Sequence, residues 1–161
     1  MSDERLILVT GASGYVGGRL VTSLLADKAK VRVFVRDANK VQSHSWANDV
    51  EIAVGNATDY QSTIKALTGV HTAFYLLHSI NLGPNFDQIE SEMARNFAKA
   101  AQECGVKQIV YLGGINNDAK TSKHLQSRAN TGKELATTSV AVMELRAGII
   151  IGSGSASFEM L

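Results

Sequence analysis

Short apolar, β-branched runs alternate along this chain with longer stretches of helical period. Leu6-Ile7-Leu8-Val9 is apolar at every position, the pattern of a strand covered on both faces. Val31 to Val35, Val50 to Val54, Thr72 to Leu77, Gln108 to Leu112 and Val140 to Ile151 repeat the theme. Between them, Val16 to Leu25, Ile64 to Leu67, Ile89 to Cys104 and Leu125 to Leu135 read as helices. The clearest is Ile89 to Cys104, where Ile89, Met93 and Phe97 recur every four residues with Ala94 and Ala101 on the adjoining face. Gly105 follows directly, a residue suited to a left-handed helix stop. Strand–helix alternation at this spacing predicts an α/β fold: a doubly wound parallel sheet between two helical layers.

Length and charge narrow the picture. The 161 residues correspond to one domain with a short appendage, at the usual ~150 residues per domain. Sixteen Lys and Arg against fifteen Asp and Glu leave a formal charge of +1, which gives no reason to expect nucleic acid or an anionic membrane as partner. Cys104 is the single cysteine, so an intrachain disulfide and a multi-cysteine metal cluster are excluded. His44, His71, His78 and His124 show no ligand spacing, and no metal site is expected. The polar start runs into an apolar segment too short for a signal-peptide core, and no run approaches the ~20 apolar residues of a spanning helix. The cytoplasm is the expected location.

Fourteen glycines stand against one proline, Pro84, and they fall at the ends of apolar runs, where they imply tight turns. The decisive group is Thr10-Gly11-Ala12-Ser13-Gly14-Tyr15-Val16-Gly17-Gly18, between the first predicted strand and the first predicted helix. Gly11 lets the chain turn sharply off the strand. Gly14 removes a side chain where a pyrophosphate would approach the backbone, and Gly17 lets helix and sheet pack closely. The helix N-terminus behind them offers free N–H groups and partial positive charge, with Ser13, Tyr15 and Val16 beside the same turn. The spacing G-x-x-G-x-x-G is one residue longer than the G-x-G-x-x-G fingerprint, but its place in a βαβ unit points to a dinucleotide. No G-K-[ST] ending follows, which excludes a nucleoside-triphosphate P-loop.

About twenty residues beyond such glycines, dinucleotide folds place the group that meets the adenosine ribose. Here the second strand ends in Val35-Arg36-Asp37. Arg36 suits a 2′-phosphate, with Arg32 or Lys40 adding charge. Asp37, one residue on, would instead suit a free 2′-hydroxyl. NADP(H) is therefore the favoured cofactor and NAD(H) the alternative.

With these motifs in view, the chain resembles the short-chain dehydrogenase/reductase superfamily, in its extended and atypical branch of NmrA-like and epimerase-like NAD(P)-binding proteins. Gly55-Asn56-Ala57-Thr58-Asp59, Tyr75-Leu76-Leu77-His78-Ser79, Val110-Tyr111-Leu112-Gly113-Gly114 and Glu144-Leu145-Arg146-Ala147-Gly148 extend the likeness along the whole chain. The resemblance implies a Rossmann domain with Asn56 and Ala57 beside the adenine and Leu76, Leu77 and His78 beside the second ribose. Ala147 and Gly148 would lie on the approach to the nicotinamide. It also implies a smaller substrate-binding region further on. The expected division is residues 1–152 as the NAD(P)-binding domain and 153–161 as a loop and the beginning of a helix. An irregular docked tail is the other reading of that end.

The departures are as informative. The superfamily's Tyr-x-x-x-Lys pair is absent, and its slot reads His124-Leu125-Gln126-Ser127-Arg128. The usual serine after the fifth strand is replaced around Gly113-Gly114. His124 is thus the candidate acid/base and Arg128 the candidate for holding a ribose hydroxyl or phosphate. The competing reading makes His124 an exposed residue at a helix start and Arg128 a surface or cofactor contact. The resemblance implies hydride transfer on a small carbonyl or alcohol substrate. The alternative is a sensor or assembly module that binds NADP(H) without turnover. Similar proteins pair through the helices flanking the sheet, so a homodimer is open, although the apolar stripe from Ile89 to Cys104 would equally serve its own sheet. Cys104 is expected to pack there, Trp46 and Tyr60 to pack at edges, and His44 and His71 to be solvated. Ser153, Ser155 and Ser157 belong to no nucleophile elbow.

Overall fold

The computed structural model describes residues 5–77, 83, 85–115, 122–150 and 152, and it has the expected α/β architecture. The first half runs β1 (Leu6–Thr10), α1 (Tyr15–Ala26), β2 (Lys30–Val35), a short α2 (Asn39–Gln42) and β3 (Glu51–Val54). The second half runs α3 (Tyr60–Leu67), β4 (Val70–Tyr75), α4 (Phe86–Glu103), β5 (Gln108–Gly114), α5 (Lys123–Leu135) and β6 (Ala141–Ala147). Every pairing is parallel, in the order β3-β2-β1-β4-β5-β6. The order reverses between β1 and β4, and that switch point opens a crevice at the carboxyl ends of the strands.

Alternation along the strands divides the core in two. Val9, Val31, Val33 and Val35 meet Val21 of α1, together with Val41 and Trp46, on one face of the sheet. Ala73, Tyr75, Ile109 and Tyr111 meet Met93, Phe97 and Ala101 of α4, with Leu67 and Leu135, on the other. Burying one such side chain contributes about 1.5–3 kcal/mol, and most of the stripe that begins at Ile89 packs against its own sheet. Among the described residues no helix covers the last strand on the α1 side, and Met143 and Leu145 are about half exposed.

Helix ends follow capping chemistry. Asp59 accepts the amides of Gln61 and Ser62 and starts α3 four residues before Ile64, while Ser122 accepts from Leu125 and starts α5. The last strand is shorter than Val140 to Ile151. It pairs with β5 only as far as Gly114 opposite Ala147, the Ile115 amide closes on the Ala147 carbonyl at 3.1 Å, and residues 148–150 leave the sheet.

Two polar readings of the sequence change. Arg32 is not available to a 2′-phosphate. It pairs with Glu51 at 2.7 Å and donates to the carbonyls of Ala66 and Thr68 at 2.8 Å each, satisfying the exposed end of α3. His44 and His71 are half-buried rather than solvated: His44 stacks on buried Trp46 at 4.5 Å, and His71 Nδ1 lies 2.9 Å from Thr72 Oγ1. Cys104 caps α4 and rests its Sγ 3.5 Å from the Ile64 carbonyl, where burial raises the thiol above its ordinary value.

Candidate functional site

Leaving β1, the chain turns at Gly11, whose φ of +66° is the left-handed region that favours glycine. A Cβ there would also stand 2.7 Å from the Leu76 carbonyl oxygen. One turn into α1, a Cβ on Gly17 would fall inside contact distance of the Gly11 carbonyl, so glycine is what allows helix and turn to touch. Gly14 differs. It is extended, at φ −87° and ψ 170°, and an added Cβ would meet only the Gly11 oxygen at 3.2 Å. Its role is to leave space above the backbone rather than to relieve crowding below.

That space belongs to a cavity of about 1120 Å³ along the carboxyl ends of the strands. Gly11, Ser13, Gly14, Tyr15, Val16 and Gly17 form its centre. α1 presents its N-terminus here with no side-chain cap and no acid in its first turn, in contrast to α3 and α5, which cap themselves. Arg36, Asp37, Lys40, Asn56, Ala57 and Thr58 line one end. Arg36 and Lys40 are exposed, whereas Asp37 uses Oδ1 to accept the Asn39 amide at 3.0 Å, at the start of α2. Asn56 is also engaged, its Oδ1 accepting the Thr58 amide at 3.1 Å.

Leu76 and Leu77 line the middle, and His124 and Arg128 lie at the far end among Ile89, Met93, Leu112, Ile115, Leu125, Ile149 and Ile150. The cavity therefore gathers the sequence candidates that fall within the described residues, and His78 lies outside them. Arg128 is no surface residue. It is 7% exposed, lies 5.6 Å over the Tyr111 ring and donates to the Leu112 carbonyl. Tyr111 in turn donates to the Arg128 carbonyl at 2.9 Å, and burial pushes its phenol up to about 12. His124 is half-buried in the first turn of α5, and its Nδ1 is enclosed with no hydrogen-bond partner among the described residues. An enclosed polar nitrogen without a partner is costly, so a ligand or water is its natural complement.

The helical period predicts Ile89 and Met93 in the core stripe. They do pack there, but the beginning of α4 also reaches the cavity. Apolar periodicity marks a buried face without saying whether a sheet or a ligand covers it. Among the described residues, no group of three His, Cys, Asp or Glu could hold a metal ion, and no helix is long and apolar enough to cross a membrane.

Comparison with known proteins places this geometry. Residues 3–133 match the NmrA-like family. A 3-beta-hydroxysteroid dehydrogenase from Mycolicibacterium neoaurum is 32% identical over 120 residues, covering 68% of this chain and 32% of that protein. An NmrA-like family domain-containing oxidoreductase from Malbranchea aurantiaca is 29% identical over 139 residues, covering 82% of this chain and 41% of its own. The Citrobacter sp. triphenylmethane reductase complexed with NADP(H) superimposes with a TM-score of 0.72 at 27% identity, over 87% of this chain and 48% of that one. The NADPH-dependent quinone oxidoreductase of Escherichia coli, complexed with NADPH, gives 0.72 at 25% identity over the same shares. The chain thus spans about a third of the length of the first of these curated relatives and about half of these solved structures.

Proposed function

The chain belongs to the NmrA-like family, and from that premise we propose that it is the NADP(H)-binding domain of an oxidoreductase that transfers hydride to or from a small carbonyl or alcohol. The observation that carries the reading is the bare N-terminus of α1, facing the cavity across Gly14, with Arg36 and Lys40 along the same groove. Unclaimed amides and a partial positive charge suit a pyrophosphate. Two exposed cations at the end of β2, Arg36 and Lys40, suit an added phosphate and outnumber the one carboxylate beside them, Asp37. This favours NADP(H) over NAD(H). The relatives crystallised with NADP(H) or NADPH add weight to the same choice.

When bound, the nicotinamide supplies or accepts the hydride. Residues of this chain do the rest. Gly14 leaves the backbone open to the pyrophosphate while Gly11 and Gly17 hold the turn against sheet and helix, Asn56 and Ala57 flank the adenine, and Leu76 and Leu77 flank the second ribose. Arg128 remains charged at any working pH and offers its donors to a ribose or substrate oxygen. His124, with Nδ1 enclosed and in need of a partner, moves the proton to or from the reacting oxygen. Apolar walls from Ile89, Leu112, Ile115 and Leu125 exclude water around that exchange and favour a substrate with an apolar body. The composition fits a cytoplasmic setting.

A second reading, cofactor binding without turnover, is favoured by the missing Tyr-x-x-x-Lys pair. Calorimetric titration with NADPH and NADH at matched ionic strength tests the binding step, and NADPH oxidation with quinones, aldehydes and ketones tests the chemistry. Tighter NADPH binding with turnover supports the first reading, and tight binding without turnover supports the second. Loss of any preference for NADPH removes the 2′-phosphate assignment.

A further inference from the structure

Below the far end of the cavity lies a carboxylate that the reaction above does not use. Glu90, on α4 between the cavity residues Ile89 and Met93, is 4% exposed, and the hydroxyl of Ser127, itself 3% exposed, donates to its Oε2. A carboxylate taken this far from water is costly to hold unless other groups compensate it. Arg128 shares its surroundings. Glu90 and Arg128 both act electrostatically on the two buried phenols of Tyr75 and Tyr111. Burial raises both phenols above their ordinary value, so neither takes up charge near neutrality. Glu90 and Arg128 therefore lie in one buried region, and Ser127 joins them, bonded to the first and adjacent in sequence to the second.

The seam between α4 and α5 supports the same role. At its start Lys123 meets Asp87 at 3.3 Å, and near its end Glu134 takes Arg95 at 2.8 Å and Ser91 at 3.0 Å. Glu90–Ser127 is the buried rung between these partly exposed ones. It acts on the turn of α5 that separates His124 from Arg128.

We propose that Glu90 is a positioning residue: through Ser127 it fixes the rotation of α5, and through its charge it keeps Arg128 seated on the Leu112 carbonyl and His124 facing the cavity. The catalytic half of this statement rests on the function proposed above, but the structural half does not.

Glu90→Gln retains shape and an acceptor for Ser127 while removing the charge, and Ser127→Ala removes the bond while retaining the charge. In both variants the guanidinium N–H protons of Arg128, followed by ¹⁵N NMR, are expected to exchange with solvent at least tenfold faster than in the parent. NADPH affinity should stay within about threefold, because the glycine turn and Arg36 lie elsewhere. Where the parent turns over, kcat should fall roughly tenfold with KM for NADPH unchanged. Arg128 exchange unchanged in a folded Glu90→Gln protein would overturn the proposal. Should that variant fail to fold, unchanged exchange in Ser127→Ala overturns it equally. Failure of the parent to bind NADPH would sink the cofactor reading alone, since the exchange measurement needs no cofactor.

Discussion

Gly114 and Leu125 share one volume: a Cβ on Gly114 would stand only 2.9 Å from Leu125 Cδ2, while Arg128 Cδ, at 3.6 Å, would be at ordinary contact distance. Gly114 closes β5, and its missing side chain leaves the Leu125 methyl lying against the strand's backbone.

Gly114→Ser must displace that methyl, the far end of a flexible side chain, and is expected to cost about 1 kcal/mol, the low end of the range for overpacking. Urea unfolding monitored by circular dichroism measures it. A cost below half of that would mean that Leu125 yields freely.

Two of the turn glycines should separate by experiment. Gly14→Val is expected to abolish binding of NADPH and NADH while leaving the unfolding midpoint close to that of the parent, since its Cβ meets little. Gly17→Val, which would drive atoms into the Gly11 carbonyl, should instead lower stability. Paired calorimetric and thermal-melt measurements distinguish a ligand-facing glycine from a packing one.

Arg36→Ala should weaken NADPH by roughly 1.5–3 kcal/mol, the range for hydrogen bonds to a charged group, with little change for NADH. Equal losses for both cofactors would show that Arg36 does not meet the 2′-phosphate. Arg32→Ala should show no cofactor selectivity, because its guanidinium serves Glu51 and the end of α3.

The folding equilibrium should carry a small acid-sensitive contribution from Glu134. Arg95 and then Ser91 hold its carboxyl below the ordinary carboxylate value. A depressed folded-state pKa means the contribution is present above the unfolded value and disappears as pH falls through the folded one. Glu134→Gln should therefore flatten the pH dependence of stability on the acid side of the ordinary carboxylate value and lower stability near neutrality. Denaturant midpoints measured across that range give the answer, and parallel curves for the two proteins would contradict it.

The sheet, its parallel sense and the glycine turn were legible because strand burial and the βαβ rhythm leave strong local signatures. The cofactor end of the cavity followed for the same reason: Gly11, Gly14, Arg36 and Asn56 stand at strand ends, and strand ends form the rim. What escaped was set by partners distant in sequence. Arg32 looked available until the end of α3, 34 residues on, supplied the Ala66 carbonyl. His124 and Arg128 read equally well as surface groups, because their enclosure depends on Leu112, Gly114 and Tyr111 of another element. The length of β6 depended on where β5 stopped, and the buried Glu90–Ser127 rung joins positions 37 residues apart on two helices of quite different polarity. Local pattern fixes which face is turned inward, and tertiary pairing decides what that face finds.

Thr10 shows where such a site can yield and where it does not. Its hydroxyl, fully buried, donates to the Phe74 carbonyl at 3.0 Å and accepts the Leu76 amide at 2.8 Å, bridging β1 and β4 just below the crevice. The floor of the groove is thereby sewn shut at the seam where a ligand would otherwise pry the strands apart. Adjustment to an arriving molecule falls to the walls, the glycine turn on one side and the beginning of α5 on the other. In deuterium exchange the Leu76 amide should be among the slowest of the rim to open, a fixed point against which the movement of both walls can be timed.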